Sequence, residues 1–174
     1  MFCRKTLLSS LAGLTGTMVL GAFCMVSLVS AAGTATVAAT VTVQNISVTV
    51  SDGSISYGTL PANTATSTIA TALNDTQTGT NAGNVAEDFN IKGQNSANWT
   101  LAATTAADQY IHKFCIATCS NPVNFTVLTT SYQVLASNIA ANGTKTFDLQ
   151  ITTPNPSTVF TQQSVDVTVQ AVLK

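Results

Sequence analysis

Three residues stand close enough in the chain to share a metal: His112, Cys115 and Cys119, spaced His-x2-Cys-x3-Cys in "HKFCIATC". Imidazole and thiolate are ligands for zinc and copper, but a closed site wants a fourth donor and none is evident nearby. The same two cysteines can bond to each other instead. In an oxidising compartment an isolated pair is normally a disulfide, here closing a short loop whose entropic gain sits at the small end of the usual range. The expected chemistry is a Cys115–Cys119 disulfide and no metal at this motif.

His112 is the only histidine. A Ser-His-Asp triad would have to be built around it. On an alternating segment beside Tyr110 and Phe114, it reads as a packed or rim side chain rather than a base. The sequence contains no Gly-x-Ser-x-Gly, no His-Glu-x-x-His and no glycine-rich phosphate loop, so the usual nucleophile, zinc and nucleotide signatures are missing. Glu87 and Asp88 are adjacent, so on a strand they face opposite ways and do not form an acid–base pair. Asn74, Asp75 and Asp108 supply oxygen donors of the type calcium takes, without the spacing of a calcium-binding helix–loop–helix. The alternative is a solvated loop whose Asn and Asp favour turns. Trp99 reads as core; with Tyr57, Tyr110 and Tyr132 as companions it would otherwise form a platform for stacking a sugar, and Trp99, Tyr110 and His112 are the candidate ligand-binding residues. No cofactor and no catalytic residue is expected.

These side chains are positioned by a chain of unusual composition. Its 174 residues suit one domain, and only 7% are charged, against about 25% in ordinary globular proteins. Neither the low charge nor the hydrophobicity fits disorder. The formal net charge of −1 comes with no basic cluster, which excludes nucleic acid as the expected partner. Arg4-Lys5, an apolar run from Leu7 to Val29 and the small residues of "VSAAGTA" read as an export signal, with a retained anchor as the alternative. The organisation expected is a signal helix over 1–32, an arm or first strand over 33–43, and one domain over 44–174. Beyond the signal, Lys92, Lys113, Lys145 and Lys174 face seven acidic residues, a mildly acidic balance for an exported domain whose only membrane contact would be an uncleaved leader.

The domain is written in period two. "ISVTVSDGSISYGTL", residues 46–60, predicts a hairpin about Asp52-Gly53, with Val50 facing Ile55 and Val48 facing Tyr57. A second strand pair is expected from Val85–Ile91 with Trp99–Ala103 across "KGQNSAN". Tyr110, His112 and Phe114 alternate; so do Val123, Phe125 and Val127, then Tyr132, Val134 and Ala136, and then Phe147, Leu149 and Ile151. Val165, Val167, Val169, Ala171 and Leu173 close the chain. "STIATALNDT" holds at most a turn of helix. About eight to ten short strands imply an all-β fold, a single antiparallel two-sheet β-sandwich of Ig-like or jelly-roll style, with an up-and-down barrel as the alternative. The inward parity flips at Gln44-Asn45: Val37, Ala39, Val41 and Val43 are odd, Ile46, Val48 and Val50 even. Either a bulge or sheet crossing lies there, or residues 33–43 form a separate arm able to add to the sheet of a neighbouring copy.

The layout "VTVSDGSISYGTL … NVAEDFNIKG … WTL … FDLQITTPNPS … SVDVTVQAV", behind a leader and an alternating arm, resembles secreted β-sandwich fibre subunits, the TasA-type biofilm fibre proteins and archaeal bundling pili. That resemblance implies polymerisation by donor-strand exchange, with the N-terminal segment completing the sheet of the next subunit. The penultimate tyrosine of chaperone–usher pilins is missing at "AVLK". The function expected is a secreted, non-enzymatic surface or matrix protein whose partners are other copies of itself. The alternative is a binding module for a surface glycan.

Overall fold

A computed structural model describes residues 33–120 and 124–174. The signal helix expected over 1–32 lies outside the described residues, as does Val123. The chain divides into two units, residues 1–40 and 41–174. In the first, residues 33–40 are exposed and belong to no strand.

The second unit is all-β, with no helix among the described residues. Its ten strands are β1 (Val48–Val50), β2 (Ala65–Ser67), β3 (Gln77–Asn81), β4 (Glu87–Lys92), β5 (Thr100–Leu101), β6 (Gln109–Cys115), β7 (Thr126–Val127), β8 (Gln133–Ile139), β9 (Thr144–Thr152) and β10 (Thr168–Leu173). Seven form one sheet, ordered β1-β3-β9-β6-β5, with β2 also on β9 and β7 also on β6. The other three form a second sheet, β10-β4-β8.

β9 is the spine of the larger sheet. Its first half pairs with β3, and its second half with β2 and β6. Residues 147–151 of β9 are buried on both faces, the pattern of a strand covered above and below. Phe147 and Leu149 of β9 and Phe114 of β6 join Phe89 and Ile91 of β4, Leu135 of β8 and Leu128 in one buried cluster. Each such side chain contributes roughly 1.5–3 kcal/mol by leaving water. Val48, Val50, Ile55, Val167, Val169 and Ala171 pack against its margin.

The alternation read from the sequence is present, but several partners differ. Val48–Val50 pairs antiparallel with Gly79–Asn81, so no hairpin forms about Asp52-Gly53. A type I′ turn needs positive φ at both central positions and a type II′ turn at the first, yet of Asp52 and Gly53 only Gly53 has it, at +70°. Ser54 N–H folds back onto Asp52 Oδ1 (3.2 Å) while Ser51 N–H continues the ladder to Thr78 O (2.9 Å). The expected pairing of 85–91 with 99–103 is also replaced. β10 and β8 occupy the two edges of β4, leaving none for β5, which pairs parallel with β6. One strand pair among the described residues is therefore parallel, where the sequence predicts a wholly antiparallel arrangement.

On β8 the inward residues are Leu135 and Ala136, not Tyr132 and Val134, and Val134 is 65% exposed. Register shifts against β4 and the left-handed Asn138 (φ 58°) rotate the strand there. Leu173 likewise ends half exposed. "STIATALNDT" contains one helical turn, Asn74 N–H to Ala70 O (2.8 Å), stopped by Asn74 itself at φ 46°.

Candidate functional site

The side chains of the alternating segment 33–43 are exposed. Val37 is 92% exposed, Val41 93% and Val43 82%; Ala39 is also exposed. Its root is held by a side chain that imitates a neighbouring strand. Asn84 Oδ1 accepts from Asn45 N–H (2.8 Å) and Asn84 Nδ2 donates to Val43 O (2.8 Å), while Asn84 N–H donates to Asn45 O (3.1 Å). Ala82 N–H donates to Ser47 O (2.8 Å), and Ser47 N–H donates to Glu87 Oε1 (2.8 Å). The parity flip at Gln44-Asn45 falls inside this clamp, ahead of β1, rather than at a bulge within a strand or a crossing between sheets.

Glu87 begins β4 on the inward parity of Phe89 and Ile91. It is wholly buried, and its Oε2 has no hydrogen-bond partner among the described residues. Gly83 makes this possible. A Cβ there would stand 2.3 Å from Glu87 Oε1 and 2.4 Å from Asn45 O, closer than any side chain tolerates.

A groove of about 1200 Å3 opens beside the core. Phe147, Leu149, Ile151 and His112 form its floor, and residues 53–60 and 159–167 border it. Tyr57, His112 and Trp99 line it, and the buried Tyr110 ring links the last two. Tyr57 Oη lies 3.1 Å from His112 Nε2, with the rings edge-on at 5.9 Å. His112 is followed by Tyr110 at 6.3 Å and Tyr110 by Trp99 at 6.2 Å.

Two of the rings are placed by strand alternation. Tyr110 and His112 share the inward face of β6. Tyr110 is fully buried, its hydroxyl donating to Gln94 O. Trp99 is half-buried, and its Nε1 donates to Ser157 Oγ (3.3 Å). Of the three candidate ligand-binding residues, Trp99, Tyr110 and His112, Trp99 alone therefore has an accessible face. His112 is 2% exposed, and Tyr110 is sealed because its inward parity carries it into the core.

Burial sets the protonation of these groups. The His112 ring is pushed down to about 4 by loss of hydration, so it is neutral at pH 7. Burial, then the charges of Asp75 and Tyr110, push the Tyr57 hydroxyl upward; burial alone does the same at Tyr110. The neutral imidazole shares its hydrogen bond with a phenol that resists ionisation, and no carboxylate is hydrogen-bonded to the ring among the described residues. Nδ1 of His112 has no partner there either.

Cys115 and Cys119 are joined as a disulfide, with Cα atoms 5.6 Å apart. The sulfurs are committed to each other while His112 turns to Tyr57, so the three do not converge. The oxygen donors of the calcium reading are engaged separately. Asp75 Oδ1 accepts from Gln77 Nε2 (2.7 Å). Asp108 accepts from Thr158 N–H (2.8 Å), Thr158 Oγ1 (2.6 Å) and Ser157 Oγ (3.2 Å). Those Thr158 and Ser157 donors hold the Asp108 carboxyl below its usual range. No group of three His, Cys, Asp or Glu side chains suited to a metal occurs among the described residues.

The arm root of Gly83, Asn84 and Glu87 and the Tyr57–His112 bond went unread in the sequence. The signal for Glu87 was there: a carboxylate at the inward parity of Glu87-x-Phe89-x-Ile91. Nothing local marks the Asn84 clamp. Compared with family models, curated proteins and solved structures, the chain has no match.

Proposed function

We propose that this protein is an exported structural subunit of a cell surface or extracellular matrix, a two-sheet β-sandwich of Ig-like or jelly-roll style that self-associates by strand addition through its N-terminal segment. The observation that carries the reading is the arm. Three valines of one parity are 82–93% exposed on a segment outside any strand whose root is clamped by five hydrogen bonds from residues 82–87. An apolar period-two segment held away from its own core is suited to pairing with another chain. The leader read over residues 1–32 and the low charge agree with a role outside the cell.

Electron microscopy of the purified mature protein tests this. Filaments are expected, and deletion of residues 33–43 is expected to leave a folded monomer by light scattering and circular dichroism. A full-length mature chain that stays monomeric at high concentration overturns the reading. A glycan-binding module is the second reading, favoured by the accessible face of Trp99 and by Phe160, 92% exposed on the rim of the same groove. Retention on a glycan surface, lost in Trp99→Ala, would support it.

A further inference from the structure

We propose that the groove bordered by residues 55–60 and 162–167 is the acceptor for the arm of a second copy, which enters as an extended strand hydrogen-bonded on both sides. The inference rests on the self-association reading and adds to it the place where the arm goes.

The first argument is backbone accounting. Residues 55–60 and 162–167 belong to no strand. None of their N–H or C=O groups bonds to another backbone group among the described residues. Two such rims bordering one groove present donors and acceptors along both of its sides, and an inserted strand would satisfy both rows. The second rim leads directly into β10 at Thr168, and the first follows β1 by way of Gly53. The second therefore prolongs an element that is already paired, while the first stands beyond the bend at Ser51-Asp52 and the turn at Gly53.

The second argument is side-chain parity. On one rim Ile55 and Tyr57 turn inward and Ser54 and Ser56 outward; on the other Val165 and Val167 turn inward and Ser164 and Asp166 outward. Below them lie Phe147, Leu149 and Ile151, also in period two. The arm offers Val37, Ala39, Val41 and Val43 on one face and Thr36, Thr40 and Thr42 on the other. No charged residue occurs over 33–43, so no charge enters the apolar floor. The arm spans about 36 Å when extended, against about 20 Å for each six-residue rim, at roughly 3.3 Å per residue. It can cover the rims and still have chain left to reach its own clamp. The exposure of Val37, Val41 and Val43 makes the arm available to another copy.

The test mixes full-length mature proteins that each carry one added cysteine. Thr40→Cys in the arm is combined with Ser56→Cys or Ser164→Cys on the rims, and with Ser137→Cys on β8, an edge strand of the smaller sheet. Mild oxidation is expected to give cross-linked dimers with both rim variants and none with Ser137→Cys. The single-chain double variant T40C/S164C, diluted to a monomer, is expected not to close on itself.

Filaments by electron microscopy with cross-links only at Ser137→Cys would overturn the acceptor assignment while leaving self-association intact. Internal closure of T40C/S164C would overturn it by making the arm a strand of its own domain. Neither filaments nor cross-links would overturn both. Val165→Lys provides an independent arm of the test. A loss of polymer with an unchanged monomer circular dichroism spectrum is expected, and unaltered polymerisation would count against the groove.

Discussion

His112 should make the stability of this protein depend on pH in a window that carboxylates alone do not explain. Its folded-state value of about 4 lies below the unfolded value of 6.5, because burial disfavours the imidazolium. Between these values the unfolded chain binds a proton that the folded chain refuses, so stability rises with pH there. It is complete above about pH 6.5, falls as pH drops toward about 4, and changes no further below.

The whole difference is worth about 3 kcal/mol, and the part lost between pH 7 and pH 5 about 2 kcal/mol. Urea unfolding followed by fluorescence reads it conveniently, since Trp99 is the only tryptophan and sits 6.2 Å from Tyr110 in the same row of rings. His112→Gln keeps a polar partner for Tyr57 and cannot titrate. Asp108 and the other carboxylates remain in both proteins, so the difference between the two pH profiles isolates the ring. The wild type should lose about 2 kcal/mol more than the variant between pH 7 and pH 5. Parallel profiles would refute the burial argument.

Gly83→Ala should cost at least about 2 kcal/mol, because its methyl group collides with Glu87 Oε1 and Asn45 O at the distances given above; thermal melting reads the loss. Asn84→Ala removes the two side-chain bonds at the arm root, at about 1 kcal/mol each. Faster hydrogen exchange at the Asn45 amide checks it. Replacing Cys115 and Cys119 together by serine opens a loop with a sequence separation of 4. A loss of about 2 kcal/mol in urea unfolding is expected, small because the loop is short. Leu149→Ala, in the buried cluster, should cost about 2–5 kcal/mol; a drop near zero would mean the spine strand is not core.

What the sequence made legible was face, and what it left hidden was partnership. Tyr110, His112 and Phe114, or Phe147, Leu149 and Ile151, announce their inward side because alternation is local and repeats every two residues. Whether Val48–Val50 meets residues 55–57 or residues 79–81 depends on the φ angle of Asp52 and on the competing edge of β3, and neither is written in the alternation. The same gap separates Asn84 from Val43: their hydrogen bond spans 41 positions, with no periodicity to flag it. The disulfide was readable because two cysteines in one short loop have few other partners. Tyr110 misled as a platform residue because an aromatic ring at an inward position looks the same whether the groove above it is open or shut.

The late position of β9 has a consequence for how the molecule comes into being. The strand that organises the larger sheet is made after most of the chain, and its side-chain partners are remote: Thr68 reaches Asp148 across 80 positions. While the ribosome is still working, β2, β3 and β6 have no scaffold to settle on. Such high contact order slows folding and keeps the nascent polypeptide an open thread for longer.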